Sequence, residues 1–409
     1  MDHRKRWNSA HIAMLVILLI GLIVRFHGLV WTLPFFFDGD ETRLVYNGIT
    51  IQQFGVQNYV TNVTNMSNYP PYRGWEIALT RSLLLFLFDD SSVTNSVTVI
   101  YGRMFSLFYA LLTIAVLYQL GRRTTGRQSI GVLSALFFAV WSETIIFGQR
   151  ALSDGAGMMF FTLCVLLAVM AYQKLSYELL VASVAAGIFA GLGKYNYFPA
   201  LIFPLVVGVY FLVKRPRQMI IWAVLPGLIF SLPVLYVTAR TVSKDDLYYH
   251  YLNETAQLES EMRRAMLLEE DPESQEVRAL YYRYPLNVLT RFEANYHIFL
   301  DFLPKYVIAL ILLGLLSIWV IQEPGYDYPA LFALAISSFL ILLIFSRFRL
   351  LEGRQMFGSM LLLLVFPAVG IMTLARFSRM AAVIVAAVVI LPIGIDAWVQ
   401  NNENARPDT

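Results

Sequence analysis

SDGAGMMFFTLCVLLAVMAYQ, residues 153–173, is the stretch on which the fold turns. Past Asp154 in its opening turn it carries no charged side chain until Lys174. A helix on the surface of a soluble domain keeps one polar face. One that is apolar all round for about 20 residues matches the thickness of a bilayer's hydrocarbon core. Outward from it, comparable runs recur at 11–31, 97–120, 129–147, 178–194, 198–213, 218–239, 304–322, 327–345, 355–375 and 379–398. The sequence therefore predicts an all-α polytopic membrane protein with about eleven transmembrane helices, the run at 198–213 being the shortest.

Composition agrees. Of the 409 residues, 58% are hydrophobic and 14% charged, and the mean hydropathy is +0.60, whereas a soluble domain is about half apolar and a quarter charged. Water-facing surfaces need Lys, Glu, Arg and Asp, and lipid-facing ones do not. A net charge of +3 without a long basic block excludes nucleic acid as a partner. The single cysteine, Cys164, excludes an internal disulfide framework and a cysteine metal site. The first run is read as a retained span, because it is long, contains Arg25 and His27 and is followed by no small-residue cleavage site.

Short cytoplasmic loops collect Lys and Arg. Here the basic groups are His3, Arg4, Lys5 and Arg6, then Arg122, Arg123 and Arg127, then Lys214, Arg215 and Arg217, then Arg376 and Arg379. Eleven spans with a cytoplasmic N-terminus put all of them inside and both long polar loops, 32–96 and 240–303, outside. Arg347, Arg349 and Arg354 then fall on the outer face, against the insertion bias, and call for either a different count of spans or a function there. In the first outer loop, 41–54 has the apolar spacing of an interfacial amphipathic helix through Leu44, Val45, Ile49 and Ile51. The segment 74–88 reads as a second helix in the outer leaflet. The second outer loop is charged and tyrosine-rich. Sequons at Asn62, Asn65 and Asn253 decide nothing by themselves.

Ionisable groups at the rim of a membrane bundle are costly and mark function, and four places carry them. Asp38, Asp40 and Glu41 follow the first span. Asp40 is a good helix N-cap, but three carboxylates within four residues exceed what a cap needs, and their mutual repulsion suits a general base or a metal ligand. Arg150 and Asp154 bracket the outer turn before 153–173, where Ser153 or Asp154 could equally cap the helix. Lys194-Tyr195 closes the run at 178–194, as an interfacial lysine or a phosphate contact. Arg354 opens the run at 355–375, where the helix dipole disfavours a cation and a phosphate in the arginine fork would offset that cost. Carboxylates and cations at one membrane face suit an anionic headgroup with its tail in lipid, met by a base that activates a hydroxyl.

At these positions the sequence resembles the GT-C membrane glycosyltransferases, especially the protein O-mannosyltransferase and lipid A aminoarabinose transferase branch. The likeness rests on Asp40-Glu41-Thr42-Arg43, on the basic turn Leu120 to Arg127, on Arg150 through Asp154, and on Gly191-Leu192-Gly193-Lys194-Tyr195. Arg354-Gln355-Met356-Phe357 stands where the family has Arg-Tyr before an apolar span. The resemblance implies a catalytic module over 1–240, a partly helical outer loop over 241–303 and C-terminal membrane helices over 304–409. It implies transfer of a hexose or pentose from a polyprenyl-phosphate donor to an acceptor hydroxyl of a protein, lipid or glycan. Asp40 would be the base, Glu41 would support the site or touch the acceptor, and Asp154 would be a second acid for acceptor or metal. Asp38, Arg43, Arg150, Lys194, Tyr195 and Arg354 would bind substrate, Lys194 and Arg354 holding the departing phosphate. The resemblance establishes no cofactor; a divalent metal between Asp40 and Asp154 is compatible with the pattern. Asp38 departs from the family and leaves the base open between Asp38 and Asp40. The Pro70-Pro71 region lacks the lysine of the aminoarabinose branch, which disfavours that donor. The membrane would be the plasma membrane of a bacterium or archaeon, or the endoplasmic reticulum of a eukaryote. Two rival readings stand beside this one: a flippase of a lipid-linked sugar, and a non-catalytic membrane subunit on the same scaffold.

Overall fold

The structure is a computed structural model that describes residues 9–27, 29, 41, 45, 48–53, 71–87, 95–193, 195–214, 303, 305–321, 323–348 and 356–404. Every regular element among them is helical. In chain order these are α1 (Ser9–His27), α2 (Pro71–Leu87), α3 (Asn95–Thr125), α4 (Gln128–Val140), α5 (Ser142–Gln149), α6 (Ser153–Lys174), α7 (Tyr177–Gly193), a 3-10 turn (Tyr195–Leu201), α8 (Ile202–Lys214), α9 (Lys305–Ile321), α10 (Tyr328–Phe348), α11 (Phe357–Leu363), α12 (Val365–Phe377) and α13 (Arg379–Asn404). Residues 41, 45 and 48–53 are helical as well.

Six helical stretches are long and apolar enough to cross a bilayer, and α4 with α5 makes a seventh if the bent pair counts as one. Three shorter apolar helices lie within α7, α9 and α10. The expected crossing at 218–239, like the loop 240–302, lies outside the described residues. Two expected spans take a different form. The run at 129–147 is broken at Trp141, with a bend of 64° between α4 and α5. The run at 198–213 starts as a 3-10 turn containing Pro199, which lacks the N–H an α-helix would need there.

Helix α6 is the centre of the bundle. It packs against α3 on one side and α7 on the other, and α11 reaches it from the C-terminal half. Helix α12 packs on both α9 and α4, so the helices after 304 close directly onto those before 240. Phe161, Phe137, Phe138 and Phe366 are fully enclosed, while Leu316, Trp319, Phe377, Val383 and Leu391 point outward. An interior packed like a protein and a rim coated with Leu, Val and Trp is what a lipid solvent selects.

Where α9 and α12 cross, their backbones touch. A Cβ on Gly314 would stand 2.1 Å from the Phe366 carbonyl oxygen, and one on Gly370 2.6 Å from that of Leu310. In lipid, helices associate through such close approach rather than through the hydrophobic effect. Gly314→Ala is expected to lower stability by about 1–3 kcal/mol through overpacking, seen as a drop in the thermal unfolding midpoint in detergent. An unchanged midpoint would mean that the crossing is not as tight as described.

The basic turns gather at one end. Glu323, buried between α9 and α10, pairs with Arg127 of the α3–α4 turn and with Arg376 at the end of α12. The Asp327 amide donates to the Thr124 carbonyl at 2.7 Å, and the Gln173 side-chain amide donates to the Arg123 carbonyl at 3.1 Å and to Asp327 Oδ2 at 2.8 Å. Lys214 lies beside Leu175 at the same end. The opposite end carries the candidate site. Arg103 precedes Arg122 by nineteen residues, and Asp154 precedes Lys174 by twenty. At about 1.5 Å per residue both lie roughly 30 Å, one hydrocarbon thickness, from the basic end of their own helix.

Candidate functional site

Glu41 anchors the site. Its carboxylate is 1% exposed and paired with Arg103 of α3, itself 1% exposed. Arg103 Nε donates to Oε1 at 3.0 Å and Nη2 to Oε2 at 2.7 Å, a two-point fork. Arg103 Nη1 donates to the carbonyl of Leu29, just past α1, at 2.9 Å. The third donor to the carboxylate is the backbone amide of Ala151, in the turn between α5 and α6, at 2.6 Å from Oε1. One ion pair thus ties the chain after α1, the upper part of α3 and the α5–α6 turn into one unit. Gly102 makes room for it, since a Cβ there would meet that of Ala151 at 3.0 Å.

Three donors occupy a carboxylate with about four lone-pair sites, so Glu41 is held within the protein by Arg103 and the Ala151 amide.

Asp154 is 1% exposed in the first turn of α6. The N-cap position of α6 falls on Leu152 rather than on Ser153 or Asp154. The Tyr197 hydroxyl approaches Asp154 Oδ1 at 3.5 Å, and the Tyr197 ring lies against the backbone of Gly157, where a Cβ would stand 2.4 Å from it. Phe161 meets the same ring edge-on at 6.0 Å. Arg150, half-buried, ends the α5 helix with its guanidinium 5.7 Å from the centre of the Phe147 ring. The other edge of that aromatic group is Phe357, T-shaped to Phe147 at 5.3 Å and to Trp141 at 6.0 Å. Gly358 packs on Phe161.

Asp38, Asp40, Arg43, Lys194 and Arg354 lie outside the described residues, and Tyr195 opens the 3-10 turn. Their sequence neighbours do converge. Glu41 follows Asp40, Tyr197 follows Lys194 by three residues, and Phe357 follows Arg354 by three. Glu41 and Tyr197 pack on the α5–α6 turn and the first two turns of α6, while Phe357 packs on Phe147 of α5 and on Trp141 at the α4–α5 break. Among the described residues no three of His, Cys, Asp or Glu stand together as a metal-ligand set.

Sequence reasoning passed over Arg103, Arg25 and Tyr197. For the two arginines a signal existed, a charge inside an otherwise apolar span. For Tyr197 there was none beyond its place near Lys194.

Residues 98–346 match the model of glycosyltransferase family 87, a range that holds Arg103, Asp154 and Tyr197 and begins after Glu41. No curated protein matches the chain by sequence. Among solved structures the chain is similar to the Archaeoglobus fulgidus oligosaccharyltransferase crystallised with Zn and sulfate, at TM-score 0.57 and 15% identity over 95% of this chain and 53% of that one. It is also similar to ArnT from Cupriavidus metallidurans bound to undecaprenyl phosphate, at TM-score 0.51 and 18% identity over 92% and 63%. The apo form of that ArnT gives TM-score 0.52 and 16% identity over 93% and 64%. The chain spans between half and just under two thirds of the length of these structures. At such identities the likeness is one of fold, and the fold is that of the GT-C membrane glycosyltransferases.

Proposed function

Because the chain belongs to glycosyltransferase family 87, we propose that it moves a hexose or pentose from a polyprenyl-phosphate donor to an acceptor hydroxyl, at the end of the bundle opposite its basic turns. By the charge bias of the loops that end faces the non-cytoplasmic side. The observation that carries this reading is the meeting of Glu41 with Ala151 and of Asp154 with Tyr197 at one end of α6, because Asp154 is one of the acids the chemistry needs and Glu41, Ala151 and Tyr197 are close sequence neighbours of Asp40, Arg150 and Lys194.

Asp40 takes the acceptor's proton as the acceptor oxygen attacks the anomeric carbon. The bond from that carbon to the phosphate oxygen breaks, and polyprenyl phosphate leaves with inversion at the sugar. Glu41 is the tether that sets the backbone beside Asp40. Asp154, supported by Tyr197, orients the acceptor or, with Asp40, a divalent metal. Lys194 and Arg354 hold the phosphate, with Arg43, Arg150, Tyr195 and Asp38 around it. Charge grows on the phosphate as the glycosidic bond breaks, so cations already in place stabilise the transition state more than the ground state. With its second pKa near 6, the leaving phosphate needs no proton at neutral pH, and one base suffices.

Support for the donor class is the GT-C fold, shared with an ArnT crystallised with undecaprenyl phosphate. Mass spectrometry of lipids copurified with the detergent-extracted protein is expected to find a polyprenyl-phosphate sugar and so to name the sugar. Copurification of ordinary phospholipids alone, with no transfer when polyprenyl-phosphate hexoses and pentoses are supplied, would count against the proposal.

A further inference from the structure

Arg25 is the most deeply enclosed cation among the described residues, at 0% exposure, and sixteen residues into α1 it lies at membrane depth. Its guanidinium faces backbone. Nη1 donates to Ala139 O at 3.0 Å and Gly21 O at 3.3 Å, and Nη2 donates to Phe138 O and Thr144 Oγ1, both at 3.2 Å. The plane sits over the Phe138 ring at 5.4 Å, and Nε has no partner among the described residues.

Two of these acceptors, Phe138 O and Ala139 O, are among the last carbonyls of α4. In an unbroken helix Phe138 O and Ala139 O would take the amides of residues 142 and 143, but the chain bends by 64° at Trp141. In lipid an orphaned carbonyl costs several kcal/mol. Arg25 supplies the missing donors from another helix, and Thr144 Oγ1 adds a bond to Phe138 O at 2.6 Å. The far end of α5 is tied to the same turn of α1: the Gln149 side-chain amide donates to Val24 O at 3.1 Å, and a Cβ on Gly148 would lie 3.1 Å from Arg25 Nε. Helix α5 is therefore gripped at both ends by residues 24–25. Its exit is Arg150-Ala151, whose amide reaches Glu41.

We infer that Arg25 is a positioning residue for the transfer reaction: by holding the break between α4 and α5 it sets where the 149–152 turn presents Arg150 and meets the Glu41 tether. The inference rests on the transferase reading. It makes an apolar span with one misplaced-looking cation into the support of the site above it.

The test uses the full chain in nanodiscs with the polyprenyl-phosphate sugar that copurifies with it, and rates are expressed per folded molecule. Arg25→Lys keeps the cation and loses the fork that serves two carbonyls at once. Its kcat is expected to fall at least tenfold, while the donor KM and the affinity for added undecaprenyl phosphate change by less, because in the proposed site Arg150 is only one of several cations around a phosphate that Lys194 and Arg354 hold. Thr144→Val is expected to lower kcat by a smaller factor, and the double variant to be no slower than Arg25→Lys, because both act through one network. A folded Arg25→Lys with wild-type kcat overturns the inference. So does a loss confined to the yield of folded protein, or one expressed in KM alone. If Arg25→Lys does not fold, Thr144→Val decides, and an unchanged kcat there overturns it. A wild-type protein that turns over no lipid-linked sugar overturns the transferase reading instead.

Discussion

Asp40→Asn protein is expected to insert, fold and bind its lipid donor, but to transfer sugar some hundredfold to ten-thousandfold more slowly than wild type. That range is what a positioned general base contributes, and Asn matches Asp in shape while it cannot accept the proton. Binding is expected to survive because the proposed phosphate contacts are Lys194 and Arg354. Asp38→Asn, made alongside, retains most of the activity, and the contrast settles which of the two carboxylates is the base. The measurement is transfer of labelled sugar by purified protein, with the thermal midpoint recorded for each variant. Undiminished transfer by both variants would remove the base from this stretch of chain altogether. It would then favour a non-catalytic subunit on the same scaffold, which has no need of either group.

Glu41→Gln has the second large effect, and it is an effect on structure first. Gln can accept from Arg103 but brings no charge, so a guanidinium enclosed at 1% exposure loses its counter-ion. Breaking a buried pair by removing one partner costs about 3–5 kcal/mol, mostly the penalty of the stranded charge. The Ala151 amide also meets a weaker acceptor. The expected outcome is a protein of much lower thermal midpoint with little transfer activity, whereas the Glu41→Gln/Arg103→Met double variant regains part of the midpoint because no charge is left unpaired. Regained stability without regained activity would mark the pair as a tether that the reaction needs in its exact geometry. If Glu41→Gln instead unfolds like wild type, the pair does not hold these three segments together. The two predictions separate two acids that are adjacent in sequence: loss of Asp40 spares the fold, and loss of Glu41 does not.

The arginines show how the legibility of the chain divides. Arg122, Arg123, Arg127, Arg376 and Arg379 could be read as one group, since charges in short loops are sorted by side during insertion, and the structure brings Arg127 and Arg376 onto a single carboxylate, Glu323. Arg25 and Arg103 are of the same residue type inside apolar runs; Arg25 reaches partners more than 110 positions away and Arg103 pairs with a carboxylate 62 positions away. Periodicity has nothing to say about such pairs. The break at Trp141 was hidden for the same reason: residues 129–147 read as one continuous apolar helix, and the donors that make a bend tolerable come from α1.

What the sequence determined unaided is the kind of protein this is. In lipid each helix must satisfy its own backbone hydrogen bonds, so the lengths of the apolar runs and the polar punctuation between them are local facts, and they set helices, the grouping of basic turns and the candidate acids near the rim. What only the tertiary structure decided is which of those groups support one another. Glu41 is paired with Arg103 and the Ala151 amide, and Arg25 reaches the carbonyls at the break between α4 and α5. Asp154 became the neighbour of Tyr197. Each of these depends on which helices lie side by side, and in a bundle whose contacts are mostly interchangeable Leu, Val and Phe, that choice is made by close packing at glycines and by a few buried polar bonds that no single segment contains.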